Sequence, residues 1–181
     1  EKIRIVYIGA ISATQGVDIL ARAAQRLMRD RPSVGERLEI VIYGPDTPHR
    51  RATLSGSLPA CVTYGGYLPA QEVGVKLLST DVAFLSLSSD RYAYAVPGKL
   101  YDYIAHGRPV LASLPQGTAQ RLIESQALGW TTGVGDVAAQ KLDRVCDPAE
   151  RSRVHGQVMA VREQHAARNH FLNLSRRLQT L

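Results

Sequence analysis

The sequence predicts an α/β domain built on a parallel sheet, and three observations carry that expectation. Short, nearly continuous apolar runs recur along the chain, such as Ile3 to Ile8 (IRIVYI) and Leu38 to Tyr43 (LEIVIY). Strands buried on both faces have this composition, whereas strands with one wet face alternate. Stretches of helical periodicity separate the runs at short connections, the pattern of βαβ units with right-handed crossovers. The runs also end in Gly- or Ser-rich segments: Gly9 to Ser12, Gly44 to Asp46, Gly65 to Leu68 and Ser86 to Asp90. In parallel sheets a ligand lies beyond the carboxyl ends of the strands, where such segments let backbone approach it. Together these features describe a Rossmann-like parallel sheet flanked by helices, with a long C-terminal helical tail.

Taken in order, IRIVYI reads as a central strand. A helix from about Thr14 to Arg29 follows, with Val17, Leu20, Ala24 and Leu27 as its apolar stripe and Pro32 after its end. LEIVIY is the second strand. Thr47 to Pro59 is polar and expected to be a loop with one helical turn. Cys61 to Tyr64 gives a third strand, and Pro69 opens a helix through Val73, Leu77 and Leu78. Asp81 to Leu87 (DVAFLSL) is the fourth strand, ending in the polar run Ser88 to Arg91. A further helix is expected at about Thr118 to Gln126, then a short last strand near Gly129 to Gly133, and after Gly135 the segment Val137 to Val145 leads to the tail. The tail, from Pro148, carries Phe171, Leu174, Leu178 and Leu181 at helical spacing.

The most informative stretch is Val96 to Ser113, VPGKLYDYIAHGRPVLAS. Pro97 suits the first position of a helix, where its missing N–H costs nothing. Gly107 provides the left-handed stop and Pro109 prevents resumption. Val110 to Ala112 then read as a buried strand. Helical spacing puts Lys99, Asp102 and His106 on one face, and Leu100 and Ile104 on another. A lysine in the first turn faces the positive end of the helix dipole, which is unfavourable unless an anion sits nearby. His106 is expected to be a solvated or helix-capping residue.

Bulk properties bound the reading. With 181 residues, 45% hydrophobic and 21% charged, the chain is an ordinary globular domain able to bury a core. No apolar run approaches the roughly 18 residues needed to span a bilayer. Cys61 and Cys146 lack metal-ligand or redox spacing, which fits two free thiols in a reducing, cytoplasmic setting. The net charge is +6, with arginines concentrated late in the chain at Arg151, Arg153, Arg162, Arg168, Arg176 and Arg177. Six per cent aromatics and no nucleic-acid motif make this a solvated basic helix face rather than a nucleic-acid surface. The absence of an initiator Met suggests an excised domain with a partner upstream.

Failed motifs narrow the chemistry. No G-x-G-x-x-G follows the first strand, so the dinucleotide fingerprint is absent. Gly98-Lys99 echoes a P-loop, but Ala93 stands at its first Gly and Leu100 at its magnesium-binding Ser or Thr. There is no G-x-S-x-G, no H-E-x-x-H and no Asp-x-Asp pair. The five histidines, His49, His106, His155, His165 and His170, show no ligand spacing. No metal site is expected.

The succession GA-x6-G, LEIVIYGPD, VTYGGYLP, DVAFLSLSS, KLYDYIAHGRPVLAS and GWTTGVGD resembles the carboxy-terminal, donor-binding half of a GT-B glycosyltransferase. The nearest match is the large retaining group called family 4, with its bacterial polysaccharide and lipopolysaccharide members. The resemblance covers nearly the whole chain, and its most specific piece is K-L-Y-D-Y-x-A-x-G-R-P-V. It implies one Rossmann-like nucleotide-sugar-binding domain over 1–181, with a tail from about 148 that packs on an N-terminal acceptor domain absent from this chain. It further implies transfer of a sugar from a UDP- or GDP-linked donor to a glycan or lipid-linked acceptor, with retention, without metal or other cofactor. A cytoplasmic protein peripheral at the inner membrane face is the corresponding expectation.

Residue by residue, Asp102 would accept from the ribose hydroxyls, where the family usually has Glu. Gly98, Lys99 and Leu100 at the helix start would serve the diphosphate through N–H groups and an ammonium, with Lys99 the catalytic cation. The loop Gly9, Ala10 and Ser12 would pack under the phosphates, and Tyr67 and Leu68 would border the base. Three positions depart from the family. Tyr94 stands where a sugar-binding Glu belongs, so Tyr92 or Tyr94 would bind sugar hydroxyls through a phenol. Ala10 and Gln15 replace the usual Arg and Lys of the diphosphate clamp, leaving Lys99 with Arg91. These departures keep three alternatives open: a non-catalytic GT-B-like scaffold, half of a sugar-nucleotide epimerase, and another Rossmann-like binding module.

Overall fold

The computed structural model of the chain describes residues 2–54, 58–135, 137 and 139–165. Six strands form one sheet: β1 (Ile3–Ile8), β2 (Leu38–Tyr43), β3 (Val62–Gly66), β4 (Val82–Ser86), β5 (Val110–Ser113) and β6 (Gly129–Thr132). Their order is β3-β2-β1-β4-β5-β6, and every pairing is parallel. The sequence therefore runs outward from β1 to one edge, returns to the centre at β4, and runs outward to the other edge. The reversal lies between β1 and β4, and ligands bind at such a switch point.

The helices are α1 (Asp18–Asp30), α2 (Pro32–Gly35), α3 (Pro48–Thr53), α4 (Ala70–Leu78), α5 (Gly98–Ala105), α6 (Thr118–Ser125), α7 (Ala139–Cys146) and α8 (Pro148–His165). Phe84 and Leu85 of β4, and Val110 and Leu111 of β5, are fully inaccessible, as near-continuous apolar runs in a central parallel strand should be. Helix α1 packs against α7, and α5 against α8.

Several boundaries differ from the sequence expectation. Helix α1 starts at Asp18 rather than Thr14, because the carbonyl of Ser12 accepts from both Gln15 and Gly16 N–H and closes a turn there. Gly16, at φ +52°, completes it. Pro32 does more than follow α1: it opens the single turn α2. Pro69 and Pro97 sit one position earlier than expected, as extended N-cap residues of α4 and α5. The carbonyl of Cys61 accepts from Ile40 N–H, but the strand proper begins at Val62. Both cysteines are free thiols. Phe171, Leu174, Leu178 and Leu181 of the expected tail, and Arg168, Arg176 and Arg177, lie outside the described residues.

Two contacts fix α5 over the switch point. Tyr103, entirely buried, donates its hydroxyl to the Phe84 carbonyl of β4 at 3.2 Å. Leu100 and Ile104 are inaccessible on the same side. The start of α5 is thereby held at the carboxyl end of the sheet, beside the loop that leaves β1.

Candidate functional site

The β1–α1 loop is tied to the end of β4 by two hydrogen bonds. Ser86, at the end of β4 and fully buried, donates its hydroxyl to the Gln15 carbonyl. Ser88 N–H donates to the Thr14 carbonyl at 2.9 Å. Two side chains of the loop region then converge on Lys99 from α5. Its Nζ donates to Gln15 Oε1 at 2.9 Å and to the Tyr7 hydroxyl at 3.1 Å, and it lies 4.4 Å from the Tyr7 ring centre. Tyr7 in turn donates to the Ala10 carbonyl at 2.5 Å. The ammonium is thus held by an amide, a phenol and a π-face, all neutral groups.

Gly9 is part of this arrangement. Its φ is +145°, and a Cβ there would stand 3.0 Å from Lys99 Nζ and 3.6 Å from the Tyr7 hydroxyl. Any side chain at Gly9 would both strain the backbone and displace the lysine. Among the described residues, Lys99 has no carboxylate partner. Burial without a counter-ion pulls its pKa down to about 8. Burial also drives the Tyr7 phenol up, with Tyr103 nearby adding to the effect, so Tyr7 stays neutral across the physiological range.

Next to this cation, Ile8, Gly9, Ala10, Tyr43, Gly44, Pro45, Tyr67 and Leu68 enclose a small, mostly apolar cleft of about 170 Å³. Tyr67 projects from its rim with 70% of its surface exposed. Tyr64 closes the neighbouring loop by donating to the Gly44 carbonyl at 2.8 Å. The crevice therefore offers, side by side, an apolar slot with an aromatic rim and a buried cation under a helix start. A planar base with an attached phosphate chain has the matching chemistry.

Gly9, Ala10, Tyr67 and Leu68, four of the residues singled out in the sequence, share the cleft, and the Lys99 ammonium occupies the space beside Gly9. The turn at Ser12 anchors the loop through its carbonyl. Gly98 and Lys99 keep their helix-start N–H groups, but Leu100 does not belong with them. Its N–H donates to Pro97 at 2.9 Å and its side chain is 0% exposed, so it is a core residue. Tyr92 is half-buried against the core in the short turn Asp90–Tyr92, whereas Tyr94 is 80% exposed; neither lines the cleft. Arg91 is exposed in the same turn. Asp102 is exposed one turn beyond Lys99, with its carbonyl taking the His106 Nδ1–H at 2.7 Å. That bond makes His106 the helix-capping residue expected.

Sequence reasoning missed Tyr7 and misread Gln15 as a mere loss of charge. A signal existed for the first: a tyrosine inside an otherwise apolar buried strand needs a partner for its hydroxyl. Among the described residues, no three His, Cys, Asp or Glu side chains gather as metal ligands would, and no helix is long and apolar enough to cross a membrane.

Comparison with known proteins agrees with this architecture. A probable glycosyltransferase, WbjE, of Pseudomonas aeruginosa is 29% identical over 144 residues, covering 78% of this chain and 35% of that protein. WaaG, a glycosyltransferase involved in lipopolysaccharide biosynthesis, superposes with a TM-score of 0.72 at 15% identity, over 90% of this chain and 43% of that one. A UDP-forming alpha,alpha-trehalose-phosphate synthase from Burkholderia vietnamiensis superposes with a TM-score of 0.71 at 13% identity, over 99% of this chain and 46% of that one. The chain thus spans about a third of the curated relative and under half of these structures, whose likeness establishes the α/β fold. The sequence model described as glycosyl transferases group 1 matches residues 2–150. By that match over most of its length, the chain belongs to the glycosyl transferases group 1 family.

Proposed function

We propose that this chain is the donor-binding half of a GT-B glycosyltransferase, and that the crevice between β1 and α5 holds a nucleoside-diphosphate sugar. The observation that carries the proposal is Lys99: a buried ammonium, fixed at a helix start by neutral groups, with no carboxylate partner among the described residues. An anion arriving there gains the charge of Lys99 and the free N–H groups of Gly98 and Lys99. The base lies in the slot under Tyr67 and beside Leu68, and Asp102 receives the ribose hydroxyls as an acceptor.

In the transfer step the bond from the sugar's anomeric carbon to the diphosphate breaks, and the diphosphate leaves with the electron pair. Lys99 and the helix start stabilise that developing charge, a preorganised electrostatic contribution that works best in a water-poor site. The reaction proceeds with retention and without a metal, and the acceptor is a glycan or a lipid-linked sugar in polysaccharide assembly. An N-terminal acceptor domain supplies the opposite wall, and the whole protein works at the inner membrane face. Tyr92 and Tyr94 remain the groups assigned to the donor's sugar, reaching it when that second domain closes on this one.

Titration calorimetry with UDP, GDP and their sugars tests the reading. Nucleotide diphosphate binding that is lost in Lys99→Ala and weakened in Asp102→Ala is the expected result. No binding of any of these nucleotides, or binding indifferent to both substitutions, overturns it in favour of a scaffold domain. The isolated chain is expected to bind donor without turnover, and measured glycosyl transfer by it contradicts that statement.

A further inference from the structure

At the other end of the sheet, where β4 and β5 begin, a second cleft of about 330 Å³ is lined by Asp81, Arg108, Arg151, Ser152 and His155. The donor reading makes no use of it. Arg108 lies in the turn between α5 and β5, and its Nη1 donates to the Thr80 carbonyl at 2.6 Å while its Nε donates to the His106 carbonyl at 2.9 Å. Arg151, in the first turn of α8, donates through Nη1 to the Val145 carbonyl at 3.0 Å. Carbonyl oxygens fix the orientation of both guanidinium groups but carry no neutralising charge. Each guanidinium has five N–H donors; Arg108 commits two of them and Arg151 one, so both keep several for a ligand.

The charge balance of the cleft is uneven. Among the described residues, neither arginine forms an ion pair. Asp81 is the one carboxylate in the lining, and its Oδ2 is already occupied by the main-chain N–H of Arg4 at 2.8 Å. Two permanent cations thus face one engaged carboxylate, with a hydroxyl from Ser152 and an imidazole from His155 beside them. Burial lowers the pKa of Arg108 against the opposing influence of Asp81, which marks a guanidinium held partly out of water with incomplete compensation. A guanidinium fork pairs bidentately with phosphate oxygens, and the further oxygens of a phosphate let one group meet two guanidiniums at once.

We propose that this cleft is a phosphate-binding site, separate from the crevice at the start of α5. Its ligand is a phosphate group carried either by a small soluble molecule or by a lipid headgroup. Ser152 is exposed on α8, so a carboxylate can be introduced there without removing a structural hydrogen bond.

The test measures inorganic phosphate binding to the 181-residue chain by calorimetry and by thermal shift, with Ser152→Glu, Arg151→Gln and Lys99→Ala in parallel. Flotation on phosphatidylcholine vesicles with and without phosphatidic acid runs beside it. The expected result is that Arg151→Gln weakens phosphate binding about tenfold or more, the loss typical of a hydrogen bond to a charged group, and that Ser152→Glu weakens it as much by placing a like charge beside the anion. Lys99→Ala should abolish only phosphate held at the start of α5 and leave the component that Ser152→Glu and Arg151→Gln weaken, which separates the two sites. Phosphate binding without flotation assigns a soluble ligand, and flotation that depends on phosphatidic acid and fails in Ser152→Glu assigns a headgroup. Absence of both, or phosphate binding lost in Lys99→Ala and retained in Ser152→Glu, overturns the proposal.

Discussion

The two ends of helix α5 are seven residues apart and are built to opposite ends. At the start, Lys99 is surrounded by neutral partners, Gln15, Tyr7 and the Tyr7 ring, and its charge is left uncompensated. At the finish, His106, Gly107 and Arg108 have their polar atoms matched to carbonyls: Asp102 for His106, Thr80 and His106 for Arg108. Gly107, at φ +69°, lets Arg108 N–H reach back to the Tyr103 carbonyl at 2.8 Å. At the start the uncompensated charge belongs to the helix terminus itself, whereas at the finish the helix end is closed by carbonyls and the spare charge is carried outward on the Arg108 guanidinium.

Lys99→Ala should have the largest effect, since it removes the uncompensated charge. Nucleotide diphosphate affinity is expected to fall about 100-fold, the upper range for a charged hydrogen bond at roughly 3 kcal/mol. Because the folded protein bears the burial of this charge, Lys99→Met should leave thermal stability unchanged or raised. A drop in melting temperature with no loss of binding would reverse the assignment of this end.

Gly107→Ala acts on the other end. A Cβ there would meet the Met159 sulfur, and the left-handed φ adds strain. A loss of about 1–3 kcal/mol is expected in denaturant unfolding, with nucleotide binding per folded molecule unaltered. Proportionate loss of both would mean that the two ends are coupled.

The pH dependence follows from the lowered pKa of Lys99, about 8 in the folded protein against an ordinary 10.5. The unfolded chain keeps the proton to higher pH, so between about pH 8 and 10.5 it binds more protons than the folded one. Stability should therefore rise over that window relative to Lys99→Met, whose profile lacks this contribution. Diphosphate binding has the opposite slope, because it needs the charged form. Its affinity should fall about tenfold per unit once the pH passes 8, and a flat profile in calorimetry would show that Lys99 does not meet the anion.

Much of this was legible in the sequence where punctuation is local. Pro97, Gly107 and Pro109 frame α5 within one residue, and IRIVYI and LEIVIY match β1 and β2 residue for residue because buried parallel strands read as apolar runs. The misplaced charge of Lys99 was also visible, as a conflict with the helix dipole. Its solution was not, since Tyr7 and Gln15 lie 92 and 84 residues away and meet it only through the order of the sheet. The core-facing side chain of Leu100 was legible from helical spacing, but its N–H was counted with the helix-start donors, and the Pro97 carbonyl takes that donor at 2.9 Å. The position of Tyr92 in a polar loop likewise gave no warning that its ring packs partly against the core.

His106→Ala should perturb the protein least and still tests how far along α5 the binding surface extends. His106 shares the polar face of α5 with Lys99 and Asp102, so a face-wide ligand surface would include it. Its Nδ1–H is committed to the Asp102 carbonyl, and its Nε2 lies 3.0 Å from where a Cβ on Gly74 of α4 would be, so the ring fills the space between the two helices. His106→Ala should cost about 0.5–1 kcal/mol in unfolding free energy, the worth of one partly exposed hydrogen bond. Nucleotide affinity should stay within about twofold, because the ring faces α4 and the crevice lies over β1. If affinity instead fell along with that of Asp102→Ala, the whole polar face would be the binding surface. The confinement of nucleotide binding to the start of α5 would then be wrong.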